Sequence, residues 1–202
     1  MRLTLLLFPI LLTAACAEPP RMSDYERDVV TARLEKDVRM RDASRSILTP
    51  DTRRRFTGLN YFPVDSTFRV VARFVPADTV RTIRAQLRKG GIDPYARIGR
   101  VVFELEGEEH ALALFQPADG RPVLWLPFTD GTTNRESYGG GRYLNPTIRE
   151  DGTVVVDFNE SYNPDCDYNP DAYNCALPPS ENRMSVRVEA GEMKSNLYDL
   201  TL

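Results

Sequence analysis

The sequence is short of the residues that most familiar chemistry requires. It holds one histidine, three cysteines and one tryptophan in 202 residues. A single imidazole, His110, excludes His-rich metal centres and leaves little for acid–base catalysis. It alternates with leucines on a strand, where a packed histidine is expected rather than a triad member. No GxSxG stands anywhere, and the Gly139-Gly140-Gly141 run is followed by no Lys-Ser/Thr, which excludes a phosphate loop. A formal charge of -3 excludes the basic footprint of a nucleic-acid binder. No apolar run approaches the ~20 residues that cross a bilayer. There is no internal repeat and no βαβ alternation. At 42% hydrophobic and 27% charged, the composition is that of a globular chain of one-domain length.

What is present begins with an address. Met1-Arg2 is followed by the apolar stretch Leu3 to Leu12 and then by small residues, the order of a secretory signal. Leu12-Thr13-Ala14-Ala15-Cys16 resembles the bacterial lipoprotein lipobox, with Thr13 a departure from the usual Leu. The resemblance implies a signal peptide over 1–15, cleavage before Cys16 and a diacylglyceryl group on its thiol. Ala17 after the cysteine implies sorting to the outer membrane. Residues 16–22 would then be anchor and tether, with Ala17-Glu18-Pro19-Pro20 reaching only ~15 Å from the bilayer. The expectation is a lipid-anchored protein of the bacterial cell envelope, on the periplasmic face of the outer membrane, with one mostly-β domain over 23–202.

Ser23-Asp24-Tyr25-Glu26 is a capping box, and Val30, Leu34 and Val38 recur at i, i+4, i+8, with Tyr25 and Val29 widening the stripe. This predicts an amphipathic helix to about Ser44, its apolar stripe on the core and its charges in water. Charges of both signs argue against a membrane-binding face. Thr49-Pro50-Asp51 reads as a second helix start, and Arg53-Arg54-Arg55 as a solvated face. After Leu59 the period becomes two. Phe68 to Phe74, Val101 to Leu105, His110 to Leu114, Val123 to Phe128, Thr153 to Phe158 and Met184 to Val188 read as strands, with turns at Gly107, Asp119-Gly120 and Asp151-Gly152. About eight short strands predict a mostly-β (α+β) fold, an antiparallel β-sandwich or barrel with the helix packed on it.

Cys166 and Cys175 are the thiols left after lipidation, and an exported chain oxidises them to a disulfide. That staple would order Asn159 to Asn182, a long Pro-rich segment. Asp165, Asp167, Asn169 and Asp171 have the spacing that opens a calcium loop. Pro170 and Ala176 stand where such a loop needs Gly and Glu, so calcium is a weak candidate and no metal or other cofactor is expected.

Three blocks carry a wider resemblance: Gly58 to Asp65; Thr129 to Thr132 with Glu136 to Leu144; and Asp157 to Asn159, Tyr162 to Pro164, Cys166, Cys175 and Leu177 to Arg183. Together they resemble the uncharacterised prokaryotic "domain of unknown function 1684" family from about Tyr25 to Glu192. The resemblance implies no activity. From the residues themselves, Glu136, Tyr138, Arg142 and Tyr143 flank the triple glycine, while Asp157, Asn159, Tyr162, Asn163 and Asn182 lie around the stapled segment. Converged, they would form a pocket for a small polar or anionic ligand; otherwise they form a hydrogen-bond network that pins loops to the sheet. The expected function is a binding or assembly module, its partners the membrane, such a ligand or another envelope protein. The alternative is a hydrolase without histidine, using carboxylates and tyrosine.

Overall fold

The computed structural model of the chain describes residues 22–197; the segment expected to be a signal peptide and Cys16 lie outside them. Ser23 caps helix α1 (Asp24–Arg41), its hydroxyl accepting from Glu26 N at 3.2 Å while Glu26 accepts from Ser23 N at 2.6 Å. Thr49 caps α2 (Pro50–Arg55). Four antiparallel strands follow: β1 (Arg69–Gln86), β2 (Ile92–Leu105), β3 (Glu108–Pro117) and, later in the chain, β6 (Thr153–Asp157), in the order β3-β2-β1-β6. The short strands β4 (Leu126–Phe128) and β5 (Arg142–Leu144) pair in a second sheet. One core joins both sheets: Ala72, Val101, Phe103, Leu112, Leu114, Val154 and Val156 meet Leu126, Phe128 and Leu144.

The fold is mostly β with an N-terminal helix, and its two sheets do not close into a barrel. Six strands are formed among the described residues rather than about eight. Met184 to Val188 shows why. Met184 and Val188 are buried in alternation, but their segment meets Thr129 to Gly131 only at single points. Met184 N donates to Thr129 O at 2.8 Å, Gly131 N donates to Val186 O at 2.9 Å, and one isolated bridge stands at Arg183, so no continuous ladder forms. Val188 N donates to Asp130 Oδ2 at 2.8 Å, and Val188 O accepts from Arg142 at 2.8 Å. At Val188 side chains take over from the neighbouring backbone. Conversely, β1 and β2 run far beyond their alternating parts. Around Thr79 to Thr82 both faces are in water, so no hydrophobic period marks the extension. Glu106 and Gly107, with φ of 54° and 80°, make the two-residue turn from β2 to β3.

The largest correction concerns α1. Val30, Leu34 and Val38 do not form its buried face: Leu34 is 60% and Val38 56% exposed, whereas Val29 and Met40 are buried. The helix is rotated by polar bonds. Tyr25 donates to both oxygens of Asp157 at 2.9 Å. Arg33 donates to Phe62 O at 2.9 Å, and Leu59 N donates to Asp37 at 3.1 Å. Charge-assisted bonds of this kind outweigh the burial of three aliphatic side chains at a helix surface when the competing orientation leaves buried acceptors unpaired.

Cys166 and Cys175 form the expected disulfide, their Cα atoms 6.0 Å apart. Cys166 lies in the single-turn helix α3 (Asp165–Tyr168). The stapled segment is fastened to the far end of β1, with Arg88 N on Cys175 O at 3.0 Å and Leu177 N on Gln86 O at 2.7 Å.

Candidate functional site

A cleft of about 430 Å³ lies between α1 and the segment that leaves β6. Asp157 ends β6 and caps a 3₁₀ turn, accepting from Asn159 N at 3.0 Å. Tyr162 then pairs with Tyr143 of β5 through a two-way backbone bridge. These two constraints turn Asn159, Tyr162, Asn163 and Asp165 toward the helix. From the other side α1 contributes Arg33, Lys36 and Arg39, and Tyr61 closes one end.

The floor is ionic. Lys36 pairs with Glu192, a carboxylate only 2% exposed, and Tyr168 OH donates to the other Glu192 oxygen. Lys36 Nζ also lies 3.0 Å from Tyr168 OH, and Asn163 N donates to Glu192 Oε2 at 2.9 Å. Burial and the Glu192 charge raise the Tyr168 hydroxyl well above its ordinary range, so it stays a donor. Lys36 further sits 5.4 Å from the Tyr162 ring centroid, a cation–π contact. On the opposing wall desolvation raises the carboxyls of Glu160 and Asp165. Neither makes a salt bridge among the described residues. The cleft thus sets cations on one wall against carboxyls on the other, between tyrosine rings.

Asp167 lies just behind this wall. Burial pushes its carboxyl up to about 6, against the hydrogen bonds from Ser195 N at 2.9 Å and Asn163 Nδ2 at 2.8 Å. A folded-state acid raised above its unfolded value holds its proton longer when folded, so its contribution to stability falls as pH rises from about 4 to 6. Asp167→Asn keeps an acceptor for both donors and carries no charge. Urea unfolding is expected to find it more stable than the wild type at pH 7 by on the order of 1–3 kcal/mol, and equal to it near pH 4. Equal stability at both pH values would show that the carboxylate carries no burial cost.

The other residues singled out from sequence are placed as follows. Asn159, Tyr162 and Asn163 line the cleft. Arg142 does not; it is 1% exposed beneath the sheet, paired with Asp130 at 3.2 Å and bonded to the carbonyls of Val188, Ala190 and Glu192. Asn182 is equally buried and bridges Ala113 and Pro127. Tyr143 donates to Ala176 O, and Asp157 is taken up by Tyr25, Asn159 and Arg69. Glu136 pairs with Arg187 at 2.9 Å, which holds its carboxyl below the usual range. Tyr138 packs over Gly140. The triple glycine serves the protein's own packing: a Cβ at Gly141, whose φ is +79°, would stand 2.7 Å from Phe128 O. So six of the nine belong to loop-pinning contacts, and three to the cleft.

Asp165, Asp167, Asn169 and Asp171 are not brought together. Asp165 faces the cleft, Asp167 holds Ser195, Asn169 donates to Ile47 O at 2.8 Å, and Asp171 is exposed. Among the described residues no group of three or more His, Cys, Asp or Glu side chains is arranged to hold a metal.

Arg33, Lys36, Tyr168 and Glu192 were not foreseen in this role. The pattern of α1 holds one sign of it, since Arg33 and Lys36 share a face with Tyr25 and Val29. Glu192, the partner of Lys36, stands alone near the end of the described chain, and nothing in the sequence links it to the helix.

Fold and site together define a mostly-β domain with a helix-roofed polar cleft. The chain belongs to the family described as "Protein of unknown function (DUF1684)", which matches residues 54–193. That span takes in the whole cleft except the residues of α1. Solved structures similar to the chain include the solution NMR structure of an uncharacterized protein of Haloarcula marismortui. It is 34% identical, covers 89% of this chain and 97% of its own, and has a TM-score of 0.64. Among curated proteins none matches.

Proposed function

We propose that this protein is a lipid-anchored module of the bacterial cell envelope that binds a small polar ligand in the cleft beneath α1. The observation that carries the ligand reading is the cleft itself, with Arg33, Lys36 and Arg39 facing Glu160 and Asp165 between the tyrosines. Such a lining offers charged partners of both signs and aromatic walls in about 430 Å³, a volume suited to a small molecule. The anchor reading is supported by the lipobox-like run ending in Cys16. A second reading, a hydrolase without histidine, draws on the raised carboxyls of Glu160 and Asp165.

Native mass spectrometry of the protein drawn from its own membrane tests the site. A small molecule is expected on the wild type and absent from Tyr162→Ala. A bare wild-type protein, or equal occupancy in the variant, would overturn the cleft as the ligand site. Conversion of that molecule on incubation would favour the hydrolase. Cys16→Ser is expected to leave the membrane fraction; its retention there would sink the anchor.

A further inference from the structure

Among the described residues, the outward face of α1 at Leu34 and Val38 is left exposed. Leu34 and Val38 stand one turn apart on it, and with Met22 they make three of the seven large hydrophobic side chains exposed among the described residues. Arg27 and Arg41 lie seven residues to either side of Leu34, on the same face. Arg41 stacks 5.2 Å from the ring of Phe56, the residue that ends α2. The stripe therefore runs into the arginines of α2. From Arg39 to Arg55 the sequence holds six arginines against two aspartates, in a chain whose net charge is -3. The mixed charges that argue against a membrane face belong to the earlier part of α1. From Arg39 on, with Arg45 paired to Asp42 and Arg54 to Asp51, a surplus of four arginines remains beside the apolar residues. That is the combination of an interfacial helix on an anionic membrane.

We propose that this face of α1, with the end of α2, lies on the anionic lipid headgroups of the bilayer that holds the anchor. The proposal rests on the lipid-anchored reading above. Seven residues separate Cys16 from Asp24, a reach of ~25 Å at full extension, so α1 is the element the anchor brings to the surface first. A second copy of the chain is a poorer occupant. A stable protein interface buries ~800 Å² on each side, far more than a stripe of three aliphatic side chains supplies, whereas a bilayer needs no matching shape. The arrangement explains the rotation of the helix: its polar face is spent on the domain, and its apolar face is turned to lipid.

The test uses the full lipidated protein in vesicles of phosphatidylglycerol or phosphatidylcholine. A polarity-sensitive fluorophore is placed at Leu34→Cys, and in a control at Glu109→Cys on β3, the edge of the sheet opposite β6. Both sites are exposed, so both variants keep the fold. Phosphatidylglycerol vesicles are expected to shift the emission at 34 to the blue and shield it from aqueous iodide, with no change at 109. Arg53→Gln/Arg54→Gln/Arg55→Gln is expected to lose the preference for phosphatidylglycerol. Equal behaviour of 34 and 109 in a vesicle-bound protein overturns the proposal. So does a blue shift at 34 that appears without vesicles and grows with protein concentration, which would assign the face to a second copy. A protein whose intact mass shows no acyl chains on Cys16 overturns the anchor as well, and this result is read separately from the fluorescence.

Discussion

Arg142→Met is expected to cost about 3–5 kcal/mol of stability, the largest loss of any single substitution considered. The guanidinium is 1% exposed and serves Asp130, Val188 O, Ala190 O and Glu192 O. Methionine fills most of the volume but leaves the Asp130 carboxylate buried without a counter-charge and three carbonyls short of a donor. Each unpaired group keeps its desolvation cost. Asp130→Asn in the same background relieves the orphaned charge, so the double variant is expected to lose less than the sum of the two single ones. Urea unfolding of the four proteins measures the cycle. Additive losses would show that Arg142 acts through its carbonyls alone.

Lys36→Met is expected to cost on the order of 2–4 kcal/mol, with a different pattern of damage. Here the stranded group is Glu192, 2% exposed, with Tyr168 and Asn163 N still donating to it. Because Lys36 lies on α1, the loss also loosens the helix that roofs the cleft. Hydrogen exchange is expected to show amide protection falling across Asp24–Arg41 while β1 and β2 remain protected. Glu192→Gln added to Lys36→Met removes the buried charge and is expected to restore much of the stability. Uniform loss of protection over the whole domain would mean that α1 does not open by itself.

These two residues mark how far the sequence could be read. Ser23 and Glu26, Thr49 and Pro50, and the turn at Gly107 were legible because each signal is local and its partner lies within four residues. The Cys166–Cys175 staple was legible because so few thiols remain to choose from. The rotation of α1 was not, since Tyr25, Arg33 and Lys36 meet Asp157, Phe62 and Glu192, up to 156 residues away. Hydrophobic spacing reports which face could be buried, not which face has the stronger partners waiting. The strand expected at Met184 to Val188 stops short for a related reason. Alternation was correct, but its backbone meets Thr129 and Gly131 only at single points, and at Val188 Asp130 and Arg142 supply the bonds instead. The site divides in the same way. Asn159, Tyr162 and Asn163 fall beside the cleft because they cluster in sequence, whereas its cationic wall is hidden in a helix that reads as solvated.

The stretch from Val188 to Met193 finishes the molecule. Val188 and Ala190 complete the core, Gly191 O receives Phe62 N at 2.9 Å, Met193 N reaches Asn60 O at 2.9 Å, and Glu192 holds α1. Because these bonds of residues 191–193 join positions more than 120 apart, α1 and the segment of Asn60 and Phe62 are not fully fastened until residue 193 has left the ribosome, although β1, β2 and β3 can pair well before. Loop closure over such spans is slow, and its reward arrives last. The last fastenings of the fold therefore close near the end of synthesis, and a truncation before Val188 is expected to leave the core incomplete and α1 exposed to proteases.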